Sequence, residues 1–306
     1  MIIDLPDTTT NAVTKALVRL RDEGGAVALG RVLTLIIDAE AGDAEAAIEA
    51  ANDASREHPC RILVLARDNE RRTAKLDAQI RVGGDAGASE VIVLTASGEM
   101  LEHSDTLVIP LLLPDAPIVA WWPNEMPDTP SEHPIGRMAQ RRITDTLNCA
   151  DPLARLRTLR DGHAAGDTDL AWTRSTVWRG LLAAALDQPP FEPVTRVEVS
   201  GHETHPSVVL LAAWLATALR CPVDIVRLKD VQGITKVVLN RTSGPVVIDR
   251  PDGRRAVLRQ PGQPVRHTGM PMRELKECLS EELRRLDPDE VYGEVLHDGL
   301  TRIGAA

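Results

Sequence analysis

The chain has 306 residues, 43% of them hydrophobic and 26% charged, with a formal net charge of −10. That composition is too apolar for a disordered chain, and the acidic balance argues against a nucleic-acid partner, because phosphate contacts need a basic surface. The length accommodates two domains or one large one.

Met1–Thr10, "MIIDLPDTTT", lacks the basic start and apolar run of a signal peptide. The longest apolar run, Val208–Ala216, is too short to span a bilayer. A cytoplasmic protein with no membrane partner is expected. Cys60, Cys149, Cys221 and Cys278 lie far apart with no CxxC spacing. They form neither a metal knuckle nor the disulfide framework of a small secreted domain.

In chain order, Asn11–Glu23 carries Val13, Leu17 and Leu20 at helical spacing after a threonine run suited to capping. Arg31–Ala39 is β-branched and predicts a strand. Gly42–Pro59 predicts a helix that stops at Pro59, and Cys60–Ala66 the next strand. Two β-type runs, Ala78–Val82 and Glu90–Leu94, flank a glycine-rich stretch around Gly83. The dinucleotide fingerprint G-x-G-x-x-G follows a strand and opens a helix; here the spacing differs and a strand follows, so a β-connection is expected. Ala116–Trp122 predicts a strand, ended by Pro123, Pro127, Pro130 and Pro134.

The stretch Gly162–Asp169, "GHAAGDTD", suits a linker. Beyond it, Asp169–Asp187 predicts a helix, Thr195–Val199 a strand, and His205–Arg220 a helix with Pro206 at its first position. That last helix is apolar almost all round and should be buried. Short β-type runs at 223–228, 234–240, 244–249 and 255–260 predict an antiparallel meander, with a turn at Arg250–Arg254. Two helices, Met272–Leu286 and Pro288–Arg302 behind an Asp287 cap, close the chain. The expected fold class is α/β. An N-terminal mixed α/β sheet domain (1–165) is followed by a C-terminal α+β domain (166–306) with the meander and terminal helices.

Catalytic signatures are scarce. There is no G-x-S-x-G elbow and no Walker-type loop, and "GHETHP" places its histidines three apart with a proline directly after, unlike the H-E-x-x-H zinc geometry. A helix cap and a loop are the expected reading there. No catalytic residue, metal site or cofactor is assigned.

The chain has five Trp, one Tyr and one Phe, yet Trp121 and Trp122 stand side by side. On a strand they point to opposite faces. Both can be core if both faces are covered, but they sit at a strand end, where open α/β sheets bind ligands. Across Gly166–Leu186, a helical wheel groups Leu170, Val177, Trp178, Leu181, Leu182 and Ala185 in one stripe. Arg174 falls within it and requires an anionic partner or a route to solvent. Trp172 and Arg179 fall together on the opposite side and suit a protein contact surface. Arg174 stands equally as an anion site or a structural ion pair.

Several words of the chain resemble the glucose-6-phosphate dehydrogenase assembly protein (OpcA) family of actinobacterial type. They are "DLPDTTTNAV", "EAANDASREHP", "LDAQIRVGGDAGASEVIVL", "LLPDAPIVAWWP", "RRITDT", "GDTDLAWTRSTVWRGLLAAALDQPP" and "LRRLDPDEVY". The resemblance covers nearly the whole chain. It implies a non-enzymatic partner of glucose-6-phosphate dehydrogenase that promotes the enzyme's active oligomer or activates it allosterically, at the entry to the oxidative pentose phosphate pathway. It also implies an N-terminal and a C-terminal domain. Redox control through cysteines, described for members from photosynthetic bacteria, is not carried over, because the four cysteines form no redox motif. On this reading Trp121 or Trp122, with Pro123 and the loop behind it, forms part of a site for a partner or ligand. The competing expectation is a small-molecule sensor for a sugar phosphate or nucleotide, kept open by Arg174 and the glycines near Gly83.

Overall fold

The computed structural model describes residues 1–23, 32–83 and 90–304. In chain order its helices are α1 (Thr10–Glu23), α2 (Ala44–Ala54), α3 (Ser104–Val108), α4 (Pro134–Met138), α5 (Pro152–Gly162), α6 (Leu170–Thr173), α7 (Thr176–Leu186), α8 (Pro206–Leu219), α9 (Leu275–Arg284), α10 (Glu290–Glu294) and α11 (Leu300–Arg302). The chain packs as two compact units. One comprises Met1–Asp145, Gly166–Thr168 and Leu275–Pro288; the other comprises Thr146–Ala165, Asp169–Glu274 and Asp289–Ala306. This path differs from a single break at 165/166: a late helix returns to the first unit, and 146–165 packs with the second.

The first unit is built on strands β1 (Ile2–Leu5), β2 (Leu33–Glu40), β3 (Cys60–Asp68), β4 (Lys75–Arg81), β5 (Glu90–Ser97), β6 (Ile118–Trp122), β7 (Arg141–Thr144) and β8 (Asp167–Asp169). They form one sheet in the order β1-β4-β5-β3-β2-β6-β7-β8. The centre, β5-β3-β2-β6-β7, is parallel. Strands β2 and β3 at its middle are buried on both faces, which is why they read as almost unbroken apolar runs, whereas β7, Arg-Arg-Ile-Thr, is buried with its arginines paired. At one side β4 pairs antiparallel with β5 and alternates between buried and half-buried residues. The glycine-rich stretch therefore joins antiparallel neighbours; its residues 84–89 lie outside the described ones. The helix α2 buries Ala44, Ala47, Ile48, Ala51 and Ala54, a small-residue face that lets it lie close to β2 and β3 and to α9.

The second unit carries β9 (Arg196–His202), β10 (Val223–Leu228), β11 (Ile234–Asn240), β12 (Val246–Asp249), β13 (Arg255–Arg259) and β14 (Arg266–Gly269), in the order β10-β9-β11-β12-β13-β14. Three of the four runs expected in the meander, β11, β12 and β13, pair antiparallel in succession, and β14, not expected, extends them. The fourth run, β10, is corrected: it pairs parallel with β9, with α8 as the crossover, and so lies outside the meander. Two apolar clusters explain why α8 has no polar face. Val208, Leu211, Ala212 and Leu215 pack with Trp178, Val197, Val237 and Ile248 on the sheet side. Val209, Leu210 and Ala213 pack with Trp172, Tyr292 and Leu296 on the other.

Four local expectations are corrected. First, Gly162–Asp169 is no linker. Asp167, Thr168 and Asp169 are buried as β8, held by an ion pair from Arg142 to Asp167 and by Thr146, which donates its N–H and hydroxyl to the Asp169 carboxylate. Second, Asp169–Asp187 is two helices. Asp169 caps α6, and the Ser175 hydroxyl donates to the Trp172 carbonyl at 2.7 Å, which closes α6 before α7 begins. Third, the last helical segment starts at Glu290 behind Asp289, whose carboxylate accepts the Tyr292 N–H; Asp287 lies before it. Fourth, α9 occupies Leu275–Arg284, shorter than Met272–Leu286.

Candidate functional site

Strand connections reverse direction between β2 and β6: from β2 the chain proceeds to β3 and β5, whereas β6 leads to β7 on the other side. In doubly wound sheets the crevice outside the carboxyl ends of such a pair is the usual ligand site. Here four side chains of the protein converge on it. The Trp122 indole N–H donates to Asp38 Oδ2 at 3.1 Å, Arg67 Nε lies 2.9 Å from Asp38 Oδ1, and His133 Nε2 lies 3.8 Å from Asp38 Oδ2. His133 also meets the Trp122 ring edge-on at 5.4 Å. Burial raises the Asp38 carboxyl above its usual range, opposed by Arg67, His133 and the Trp122 hydrogen bond. Burial likewise lowers His133, with Asp38 opposing.

The turn after β2 has the wrong chemistry for a pyrophosphate. It reads Glu40-Ala41-Gly42-Asp43, with one glycine, and it sets the Asp43 carboxylate at the start of α2. Asn124 donates to that carboxylate at 2.6 Å. A helix N-terminus attracts anions through its free N–H groups, and a fixed carboxylate in that place repels a second anion.

The second unit contains a more open feature. A cavity of about 80 Å³ is lined by Leu147, Arg174, Trp178, His205, Ser207, Gly233, Ile234, Arg250, Met272 and Arg273. Arg174 reaches it from the end of α6, Trp178 from α7, His205 and Ser207 from the start of α8, and Arg250 from the turn after β12. His205 Nδ1 accepts the Ser207 N–H at 3.2 Å and so caps α8. The Nε2 of the neutral ring therefore carries the proton. Burial, then Arg174, His202 and Arg250, push His205 down to about 4, which keeps it neutral near pH 7.

The residues singled out in the sequence separate on this framework. Trp121, Trp122 and Pro123 are buried, so neither tryptophan nor the proline is presented to a partner. Both tryptophans are core, because the parallel sheet is covered on both faces; Trp121 Nε1 has no acceptor among the described residues. Trp172 is 1% exposed, which corrects its placement on an outer contact face. Its side of the helix is covered by Val209, Leu210 and Ala213 of α8 and by Tyr292 and Leu296. The Trp172 indole donates to Asp289 at 2.8 Å, and Arg179, half-buried, lies 3.6 Å over its ring. Arg174 is likewise half-buried and joins Arg250, Arg273 and His205 at the cavity. The sequence reading missed those three, since they come from segments far apart in the chain; the Arg250–Arg254 turn and the "GHETHP" stretch were the local signals for two of them.

The fold is thus that of a two-unit α/β protein whose switch-point crevice is filled by its own side chains. A family model described as the glucose-6-phosphate dehydrogenase subunit N-terminal domain matches residues 51–161, and one described as the C-terminal domain of the same subunit matches residues 165–296. The chain belongs to this OpcA family of glucose-6-phosphate dehydrogenase assembly proteins, and its partner is glucose-6-phosphate dehydrogenase. No curated protein matches the chain. Among solved structures, the oxidoreductase-like yvaA of Bacillus subtilis is similar at 9% identity and a TM-score of 0.40, covering 87% of this chain and 93% of that one. UDP-N-acetylglucosamine 3-dehydrogenase GnnA of Acidithiobacillus ferrooxidans is similar at 9% identity and a TM-score of 0.34, covering 88% and 96%. Likenesses this distant carry no argument about activity. Among the described residues, no helix is long and apolar enough to cross a membrane.

Proposed function

We propose that the chain acts as a non-catalytic subunit in the cytoplasm, binding glucose-6-phosphate dehydrogenase and favouring its active oligomer or active conformation. The observation that carries this reading is the pair of family matches, which together run from residue 51 to residue 296. The filled crevice at Asp38 and Trp122 and the acidic turn at Asp43 support it, because a nicotinamide dinucleotide needs an open crevice and a phosphate-accepting turn. A partner that activates an enzyme must bind the active conformation better than the inactive one.

The test mixes the pure protein with its cognate dehydrogenase and records kinetics and mass together. A rise in dehydrogenase turnover or a fall in KM, accompanied by a mixed complex, is the expected result. Unchanged kinetics and unchanged masses at saturating protein would end this reading.

A further inference from the structure

The geometry points to a site for a phosphoryl group in the second unit, at the cavity between Arg174, Arg250, Arg273 and His205. Arg250 is 6% exposed, donates Nη2 to the Ile234 carbonyl at 2.8 Å, and has a buried Nε with no acceptor among the described residues. Among the described residues it forms no ion pair. Burying a guanidinium in this way is costly unless an anion joins it. Burial lowers the Arg250 pKa, and the carboxylate that opposes this is Asp252, a fully solvated turn residue.

The surroundings of Arg250 select for an oxyanion. Among the described residues lining the cavity there is no carboxylate, while three are arginines. Guanidinium groups match phosphoryl oxygens through paired N–H donors. His205 adds an Nε2–H donor on a ring whose orientation is fixed by the Ser207 N–H. The start of α8, a fourteen-residue helix, adds the positive end of its dipole. Gly233 keeps the space open: a Cβ there would lie 3.6 Å from His205 Nε2 and 3.9 Å from Arg250 Nη2. About 80 Å³ is several times the ~10–15 Å³ that one water requires, enough for a tetrahedral oxyanion. Trp178, with its ring 5.3 Å from the Arg250 guanidinium, and Met272 supply apolar walls suited to the organic part of a phosphate monoester. The ligand class is therefore a phosphate monoester or inorganic phosphate. This site does not depend on the chain's role towards the dehydrogenase, so the two readings can fail separately.

Calorimetric titration of the full chain alone, with inorganic phosphate and with a hexose monophosphate, tests the site. Binding of either at millimolar affinity or better, at least tenfold weaker in Arg250→Gln and unchanged in Arg254→Gln on the exposed turn, is the expected result. A tighter monoester identifies an organic phosphate as the ligand; equal affinities identify phosphate itself. Circular dichroism checks that Arg250→Gln folds, and Arg250→Lys, which keeps the charge but loses the fork, should bind with intermediate affinity. No binding to folded wild-type chain overturns the site, as does binding that survives Arg250→Gln. If neither probe binds and Arg250→Gln instead weakens the dehydrogenase complex, the cavity receives a carboxylate of the partner and the phosphoryl assignment is wrong.

Discussion

Trp122 holds Asp38: an indole N–H at the end of β6 donates at 3.1 Å to a carboxylate near the end of β2, across the two strands where the sheet changes direction. A pair of side chains thus occupies the crevice where many α/β proteins place a ligand. The bond is buried, so removing its donor strands an acceptor. Trp122→Phe should destabilise the protein by about 1–3 kcal/mol, the cost of an unsatisfied buried carboxylate oxygen. Asp38→Asn, which keeps an acceptor for the indole but loses the charge facing Arg67, should cost less. Urea unfolding of both variants checks the order.

Trp172 belongs to the core in spite of its place on the helical wheel. Trp172→Ala should cost about 3–5 kcal/mol, comparable with Trp178→Ala. Arg179→Ala loses the stacking contact over Trp172 and should cost only about 0.5–1 kcal/mol. Thermal melts of the three variants decide this. A Trp172→Ala protein as stable as the wild type would mean that the ring is not packed as described.

His205 predicts a pH dependence. Its folded pKa, about 4, lies below the ordinary value of 6.5. Between those values the unfolded chain binds more protons, so stability rises with pH through this window and is lost as pH falls through it. The full effect is up to about 3 kcal/mol. Unfolding free energies measured from pH 7 to pH 4 should fall more steeply in the wild type than in His205→Gln. A bound phosphate should reverse part of this, because it favours the imidazolium and pulls the His205 midpoint upward.

Association with the dehydrogenase should depend on salt. The net charge of −10 gives the chain a field that would steer a partner surface of opposite charge, which acts mainly on the association rate. Stopped-flow rates should drop as ionic strength rises from about 0.01 M to about 0.15 M, where the screening length shrinks from ~30 to ~8 Å. A rate indifferent to salt would indicate an apolar interface.

Strands β2, β3, β5 and β6 and helix α8 were legible in the sequence because burial on every side leaves a largely apolar run, whereas β7, Arg-Arg-Ile-Thr, was not, since its arginines are buried through ion pairs to Glu282 and Asp167. Strand β8 was not, since Asp167, Thr168 and Asp169 carry turn chemistry, and the two carboxylates are buried with Arg142 paired to Asp167 and Thr146 donating to Asp169. Strand β14, Arg266–Gly269, is exposed along its length and has no apolar alternation to announce it. Trp172 was misplaced because a wheel shows only which residues share a side, and its side is covered by α8 and by Tyr292 and Leu296, which follow later in the chain. Arg174 stood out as a charge among apolar neighbours. Its companions Arg250 and Arg273 sit in the turn after β12 and in the segment before α9, where arginines are ordinary, and only the fold brings them to the same cavity.

The route of the chain has a consequence for anyone dividing the gene. Stopping after Ala165 looks natural, yet the first unit would then lack β8 and α9. Arg141 would lose both the Glu282 carboxylate and the Asp287 carbonyl, Ser280 could no longer donate to Glu57, and the alanine face of α2 would lose its α9 cover. The remainder would begin without Thr146–Ala165, and with it Leu156 and the Thr146 donors to Asp169. Two halves expressed apart should each be insoluble, and co-expression should rescue both, as expected of a protein whose parts are inherited together.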